Sequence, residues 1–351
     1  MPSGSYDRFG LTGNPFRDLS SENLSDVELY HVNLEVDDAL RTIRDEVYDK
    51  ENHAVVAIVG PHGSGKTERL LVARADAKER GAFAVYFDVL AKTPMVLRGL
   101  AEEFHKSATA AGLVKTFSAP GWLKGISALE KIKDTGYDPI SAGKVIGLAL
   151  NETAPSFLLL NDLHNLMESS EADAFAKTVQ EITDVIKPGV FIMFVCYPSY
   201  LAWLTVNHAP FASRINRTFV LPGLTPEEAQ LLLAKKLLPK RLVEDLDPIY
   251  PFDAEAVTVL NEAAGGNPRR LLELADLTIE HALSRRSFRV DVNVVQEVLA
   301  QRPARPGGAG VRETIASTAA SVEGRPSTSS RPSAAVTVSS DSRSAKTYQE
   351  T

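Results

Sequence analysis

The stretch Gly60-Pro61-His62-Gly63-Ser64-Gly65-Lys66-Thr67 follows directly on the apolar run Ala54-Val55-Val56-Ala57-Ile58-Val59. Its spacing, G-x-x-x-x-G-K-T, requires a strand before it and a helix after it. Glycines at 60, 63 and 65 let the backbone wrap a phosphate with no Cβ in the way, so that successive N–H groups converge on it. The helix that starts near Gly65 adds its positive dipole end to the same place. At this spacing Lys66 reaches the β- and γ-phosphates of a nucleotide as a point charge, and the Thr67 hydroxyl ligates Mg²⁺. Pro61, His62 and Ser64 complete the loop and count with the glycines as nucleotide-contacting positions. A nucleotide and Mg²⁺ are the expected ligands.

A chain of 351 residues, 44% of them hydrophobic, has enough apolar content for a large α/β core and a smaller second domain. The net charge of −7 excludes a globally basic nucleic-acid binder and leaves only a local patch for such contacts. The lone cysteine, Cys196, allows no intrachain disulfide, and no apolar run approaches the length of a membrane span. The first residues lack the basic and apolar regions of a signal peptide, so a cytoplasmic location without membrane partners is expected.

Apolar runs alternate with helical patterns, which reads as a parallel sheet with crossover helices. After residues 54–59 the runs are Ala82–Asp88, Phe157–Asn161, Phe191–Val195 and Thr218–Leu221, each continuous enough for a strand covered on both faces. Residues 94–154 are mostly helical by pattern, and the stretch Ala119-Pro120-Gly121-Trp122 within them reads as an inserted loop. Thr225-Pro226-Glu227-Glu228 is a capping box that opens a separate helical segment running to about residue 300. From 302 onward the Ser/Thr/Ala/Pro-rich composition predicts a disordered tail. The expected division is 1–50 as an N-terminal linker and amphipathic helix, 51–223 as the nucleotide-binding core, 224–301 as a helical lid and 302–351 as the tail.

Three further motifs fit around the loop. Leu158-Leu159-Leu160-Asn161-Asp162 places polar groups at a strand end, where a carboxylate can hold the water shell of Mg²⁺ or polarise an attacking water. With Asn161 at the first of the two positions only Asp162 is charged, so Asp162 is a candidate for the water-activating base, for the metal-side carboxylate, or imperfectly for both. His164, two residues on, reads as a polar loop residue. Ser213-Arg214-Ile215-Asn216-Arg217 precedes the fifth strand; an arginine there can stabilise transition-state charge on a phosphate held by a neighbouring subunit, with Arg214 as first candidate and Arg217 as second. Gly265-Gly266-Asn267-Pro268-Arg269-Arg270 opens a helix with two cations at the end where the dipole disfavours them, which is easier to explain with an anion in reach.

In this order the motifs resemble those of an AAA+ ATPase of the initiator and clamp-loader branch. Residues 60–67 stand for its phosphate loop, 158–162 for its Walker B strand, Ser213-Arg214 for its arginine finger and Gly266-Asn267-Pro268-Arg269 for its sensor-2 motif. The resemblance covers roughly residues 8–300. It implies a sheet of order 5-1-4-3-2, a helical lid, and ATP bound between them and shared across subunits, with Arg269 and Arg214 as catalytic arginines. It also puts the sensor-1 position at Cys196 or Tyr197, neither of which is the usual polar residue. The opening Phe9–Phe16 with its Asn-Pro-Phe, and the Gly-Asn-Pro-Arg-Arg lid, are closest in style to transposition-regulator and secretion-type ATPases.

The expectation is an ATPase that binds ATP-Mg²⁺ at subunit interfaces, forms a homo-oligomeric ring or filament, and recruits or remodels a protein partner, with duplex DNA as a candidate substrate. The rival is a switch or scaffold that binds ATP, hydrolyses it poorly and signals through protein contacts; Asn161 and the sensor-1 position favour it.

Overall fold

The structure, a computed structural model, describes residues 6–17, 32, 34–90, 95–113, 121–132, 137–243 and 245–301. Residues 302–351, expected to be a disordered tail, lie outside the described residues, as do Ala119 and Pro120 of the stretch read as an inserted loop.

In chain order the first half of the fold is α1 (Glu35–Tyr48), β1 (Ala54–Val59), α2 (Lys66–Glu79), β2 (Phe83–Asp88), α3 (Val96–Ala110), α4 (Gly121–Leu129), α5 (Pro139–Glu152), β3 (Ser156–Asn161) and α6 (Ala172–Val185). Then come β4 (Val190–Cys196), α7 (Pro198–Asn207), the one-turn α8 (Ala209–Ala212) and β5 (Arg217–Val220). Helices α9 (Pro226–Leu237), α10 (Ala254–Ala264), α11 (Pro268–Ser284) and α12 (Val292–Ala300) follow. The five strands lie in the order β2-β3-β4-β1-β5, and every neighbouring pair is parallel. That is the expected order read from the other edge.

The inner strands β1, β3 and β4 are buried at every position because both faces are covered. The edge strands β2 and β5, expected to be covered alike, are only partly buried, with Arg217 exposed. Alternate residues serve alternate layers. Val55, Ala57, Leu158, Leu160, Ile192 and Phe194 face the layer built from α3 to α7. Val56, Ile58, Phe157, Leu159, Met193 and Val195 face α1 and α2, where Leu40, Val47, Leu70 and Ala73 meet them. Gly121 and Trp122, read as part of a loop, instead open α4, and the Trp122 ring sits edge-on to Phe104 of α3 at 5.8 Å. Burying the indole against α3 outweighs the weak helix propensity of the glycine before it.

Helices α5 and α6 approach so closely that a Cβ at Gly143 would lie 2.4 Å from Glu181 Cβ, and one at Gly147 2.3 Å from Val185 Cγ2. Helices α9 to α12 form their own core with Leu233, Leu260, Leu271 and Ile279 buried in it. The chain's opening joins that core: Phe9, Leu11 and Phe16 are buried in it. Asn14 Nδ2 donates to Asp276 and Glu280 of α11, and the Phe16 ring meets Phe252 edge-on. The Phe9–Phe16 segment therefore packs as part of the lid. Among the described residues no helix is long and apolar enough to cross a membrane.

Candidate nucleotide site

The loop Gly60–Thr67 leaves the carboxyl end of β1, the central edge at which parallel α/β sheets bind ligands. Gly63 and Gly65 adopt left-handed backbone at φ 79° and 86°, and Gly65 leads directly into α2. A side chain at Gly60 would meet Ser64 Oγ at 2.6 Å, and one at Gly63 would meet Arg269 Cβ at 2.7 Å. The loop is closed over by the lid on one side and by its own turn on the other. Ser64 Oγ is buried with no protein partner, a polar atom that a phosphate oxygen suits.

Lys66 is the buried cation of the site. Its Nζ donates to Gly60 O at 3.0 Å and Pro61 O at 2.8 Å, and it stands 4.8 Å from the centre of the Tyr197 ring. Burial pushes its ammonium down to about 8, while the Asp162 carboxylate acts in the opposite direction. An ammonium so stripped of water gains more from a polyanion than a solvated one does.

Thr67 begins α2 and donates its hydroxyl proton to Asn161 Oδ1 at 3.0 Å. Asn161 ends β3 fully buried, and its Nδ2 in turn donates to Asp88 Oδ1, also at 3.0 Å. Asp162 follows at φ 53°, a left-handed state that costs a non-glycine residue about 1–3 kcal/mol and that Asp tolerates better than most. That turn starts the 3-10 helix Leu163–Glu168. The Asp162 carboxylate lies 3.9 Å from His164 Nδ1 and acts on both Lys66 and Tyr197.

The two sensor-1 candidates separate cleanly. Cys196 is wholly buried, its thiol pushed up to about 12 by burial, and only its carbonyl meets the loop, accepting from Gly60 N. Tyr197 turns toward the loop: its hydroxyl is 3.4 Å from His62 Nδ1, and its ring stacks on His164 at 3.6 Å. His164, read as a polar loop residue, is thus a half-buried member of the site. Burial, with the Lys66 charge next, pushes its imidazole down to about 4, so it stays neutral across the physiological range.

The lid reaches the same loop. Asn267 caps α11, accepting from Arg270 N, and its Nδ2 donates to His62 O at 2.8 Å. Arg269 N donates to Gly63 O, and Arg269 Nη1 lies 3.0 Å from His62 Nε2. A guanidinium only donates, so His62 Nε2 must be the acceptor and the ring proton sits on Nδ1, toward Tyr197. Burial, then the charges of Arg269 and Lys66, push the His62 imidazole below its usual value, which suits the neutral form this contact needs. Beside the loop a slot is lined by Leu34, Gly65, Pro222, Leu224, Leu232 and Pro268. The buried ion pair Arg69–Asp37, at 2.8 Å, ties α1 to α2 at its edge.

Hydrogen bonds thus join residues 60–67, Asn161, Tyr197 and Arg269 at one edge, with Asp162 beside them. Arg214 and Arg217 stand elsewhere. Arg214 pairs with Asp184 of α6 and donates to Pro210 O, and the exposed Arg217 donates to Asn216 O. Asn216 N donates to Val55 O at the start of β1, and Arg217 stands in register with Val56, four residues before Gly60. Both arginines therefore belong to the amino end of the sheet, about 13 Å or more of strand from the loop. Sequence reasoning missed Asp88, His164 and the His62–Arg269 contact. A strand ending in Asp88 is visible in the sequence, but its facing residue, Asn161, follows only from the β2–β3 register.

No protein-family model matches the sequence, and no curated protein does. Solved structures do match its fold. The Aeropyrum pernix ORC2 protein, determined with ADPNP and ADP, aligns at TM-score 0.52 and 14% identity over 80% of this chain and 73% of its own. The A. pernix ORC1 protein in complex with DNA aligns at TM-score 0.51 and 18% identity over 81% and 69%. The Thermotoga maritima RuvB Holliday junction branch migration motor follows at 0.46 and 14%, over 84% and 80%. At these identities the likeness is one of architecture: the chain has the P-loop NTPase fold, a five-stranded parallel sheet followed by a helical lid.

Proposed function

We propose that this protein is an ATPase that binds ATP-Mg²⁺ between sheet and lid, assembles into homo-oligomers when ATP bridges subunits, and uses the assembly to recruit or remodel a partner, with duplex DNA as the candidate substrate. The observation that carries the reading is the lid–loop junction. Asn267 and Arg269 bond directly to His62 and Gly63, so a nucleotide held by the loop also bears on the lid. The donor set suits the ligands: the orphaned Ser64 hydroxyl and buried Lys66 for phosphate, and Thr67 with Asp162 for a hard cation that prefers oxygen.

ATP supplies the anhydride bond, and Mg²⁺ neutralises charge on its phosphates. The chain's own residues do the rest. Lys66, buried beside the loop, pairs with phosphate. Asp162 accepts a proton from water on its carboxylate, Tyr197 fixes His62, and Arg269 offers its guanidinium from the lid. Arg214, turned away from its own loop, serves the site of a neighbouring subunit, with Arg217 as second candidate. The likeness to a DNA-bound ORC1 protein supports testing duplex DNA first.

Steady-state ATP turnover of wild type beside Asp162→Asn and Arg214→Ala tests the enzyme reading. Both variants should fall by about 10²-fold or more, as loss of a base or a charge-stabilising donor does. A wild type no faster than either variant supports the second reading, a hydrolysis-poor switch acting through protein contacts, which Asn161 in place of a carboxylate favours.

A further inference from the structure

Asn161 leaves the strand end beside Thr67 without a charge, and a carboxylate stands on the neighbouring strand instead. Asp88 ends β2 directly opposite Asn161 in the parallel register, and the next backbone N–H, from Val89, donates to Asn161 O at 3.1 Å. The side chains form one chain of hydrogen bonds: Thr67 Oγ1 to Asn161 Oδ1, then Asn161 Nδ2 to Asp88 Oδ1, each 3.0 Å. Every donor and acceptor in it is determined. A carboxylate can only accept, so it fixes the amide with Nδ2 toward β2 and Oδ1 toward α2. The oxygen then takes the Thr67 proton and turns the hydroxyl lone pairs away from the strand, toward the loop. An aspartate at 161 would oppose Asp88 with a like charge across the register, which directly facing positions tolerate poorly. Amide and acid have in effect traded strands.

We propose that Asp88 is a second metal-side carboxylate of this site, beside Asp162, acting through Asn161 as a positioning residue for Thr67 and as the negative charge that Asn161 does not carry. It rests on the reading of residues 60–67 as an ATP-Mg²⁺ site. Asp88 orients the Thr67 ligand and stabilises the cation by its field, without displacing water from it. Outer-shell groups of this kind alter metal affinity by about 10–100-fold when removed.

The test separates charge from shape. Asp88→Asn keeps the size of the side chain and an oxygen that can accept from Asn161, but removes the charge. ATP affinity is measured by titration calorimetry in EDTA and in excess Mg²⁺, for wild type, Asp88→Asn and the exchanged pair Asp88→Asn/Asn161→Asp, with thermal melts as a check on folding. Expected is metal-free ATP binding no weaker than wild type in Asp88→Asn, since a negative charge near the phosphates is lost, with the gain from Mg²⁺ reduced about tenfold or more. The exchanged pair, with one acid and one amide, should recover that gain. An undiminished Mg²⁺ gain in Asp88→Asn overturns the proposal. So does an exchanged pair that binds Mg²⁺-ATP more weakly than wild type, whatever Asp88→Asn does. If wild type binds no ATP in either buffer, it is the ATP-site reading that fails.

Discussion

Lys66 illustrates how much of this site depends on where a residue is placed rather than what it is. The sequence identifies it as the phosphate-reaching lysine; the fold buries it and lowers its ammonium to about 8. A bound polyphosphate favours the charged form, so its proton affinity in the complex exceeds that in the free protein. ATP affinity should then be flat below pH about 8 and fall by up to about tenfold per pH unit above it, as the free protein surrenders the proton that the complex must take back. The nucleotide's terminal phosphate is already fully ionised there and adds no slope of its own. Calorimetry in buffers of different ionisation enthalpy should register proton uptake on binding in that range. A flat profile through the alkaline range would show that Lys66 is not the group meeting the phosphates. His164 makes the converse point: a histidine in a loop looks like a titrating group, yet burial against Tyr197 and the Lys66 charge keep it neutral.

At the level of elements, the strands and the capping signals were readable because they rest on local chemistry. The Thr225 box and the Asn267 cap form as their residue types require. What could not be read is contact between segments far apart in sequence. Phe9, Leu11 and Phe16 look like a linker's scattered apolar residues, yet they fill the lid core more than two hundred positions away. Gly143 and Gly147, four apart on α5, lie where α6 comes closest. Spacing places them on one face, but nothing local says which helix they meet. Alanine at either should force the helices apart and destabilise by about 1–3 kcal/mol in urea unfolding; an unchanged midpoint would mean the pair can relax freely. Asn267 combines both kinds of role. Asn267→Ala should cost about 1 kcal/mol of cap energy and, by removing the bond to His62 O, also weaken ATP binding. Asp291→Ala, which removes the cap of α12, should cost similar stability and leave ATP binding intact. Equal ATP affinity in the two variants would separate the lid from the nucleotide.

At the scale of the whole molecule, the proposed reading divides the chemistry between the two ends of the sheet. The loop, Asp162 and Arg269 lie at the carboxyl ends of the strands, while Arg214 sits near their amino ends, paired with Asp184 on α6. At least four residues of strand, about 13 Å, separate them, more than an arginine side chain spans, so on the proposed reading Arg214 serves a phosphate held by another copy of the chain. An arrangement of this kind is heterologous: each interface pairs one subunit's loop with the next subunit's arginine. Subunit mixing tests it. Asp162→Asn lacks the base but keeps the arginine; Arg214→Ala lacks the arginine but keeps the base. Each alone should turn over little ATP. Mixed in equal amounts, about a quarter of the interfaces would join an intact loop to an intact arginine, and turnover should rise well above that of either variant alone. Turnover in the mixture no higher than the mean of its parts would place Arg214 outside the reaction. In sedimentation, ATP should drive wild type into a larger species, and Arg214→Ala should weaken that shift while leaving ATP affinity of the single subunit unchanged. On the proposed reading ATP favours assembly because the arginine–phosphate contact would exist only in the oligomer, so that occupancy and subunit number are linked by mass action.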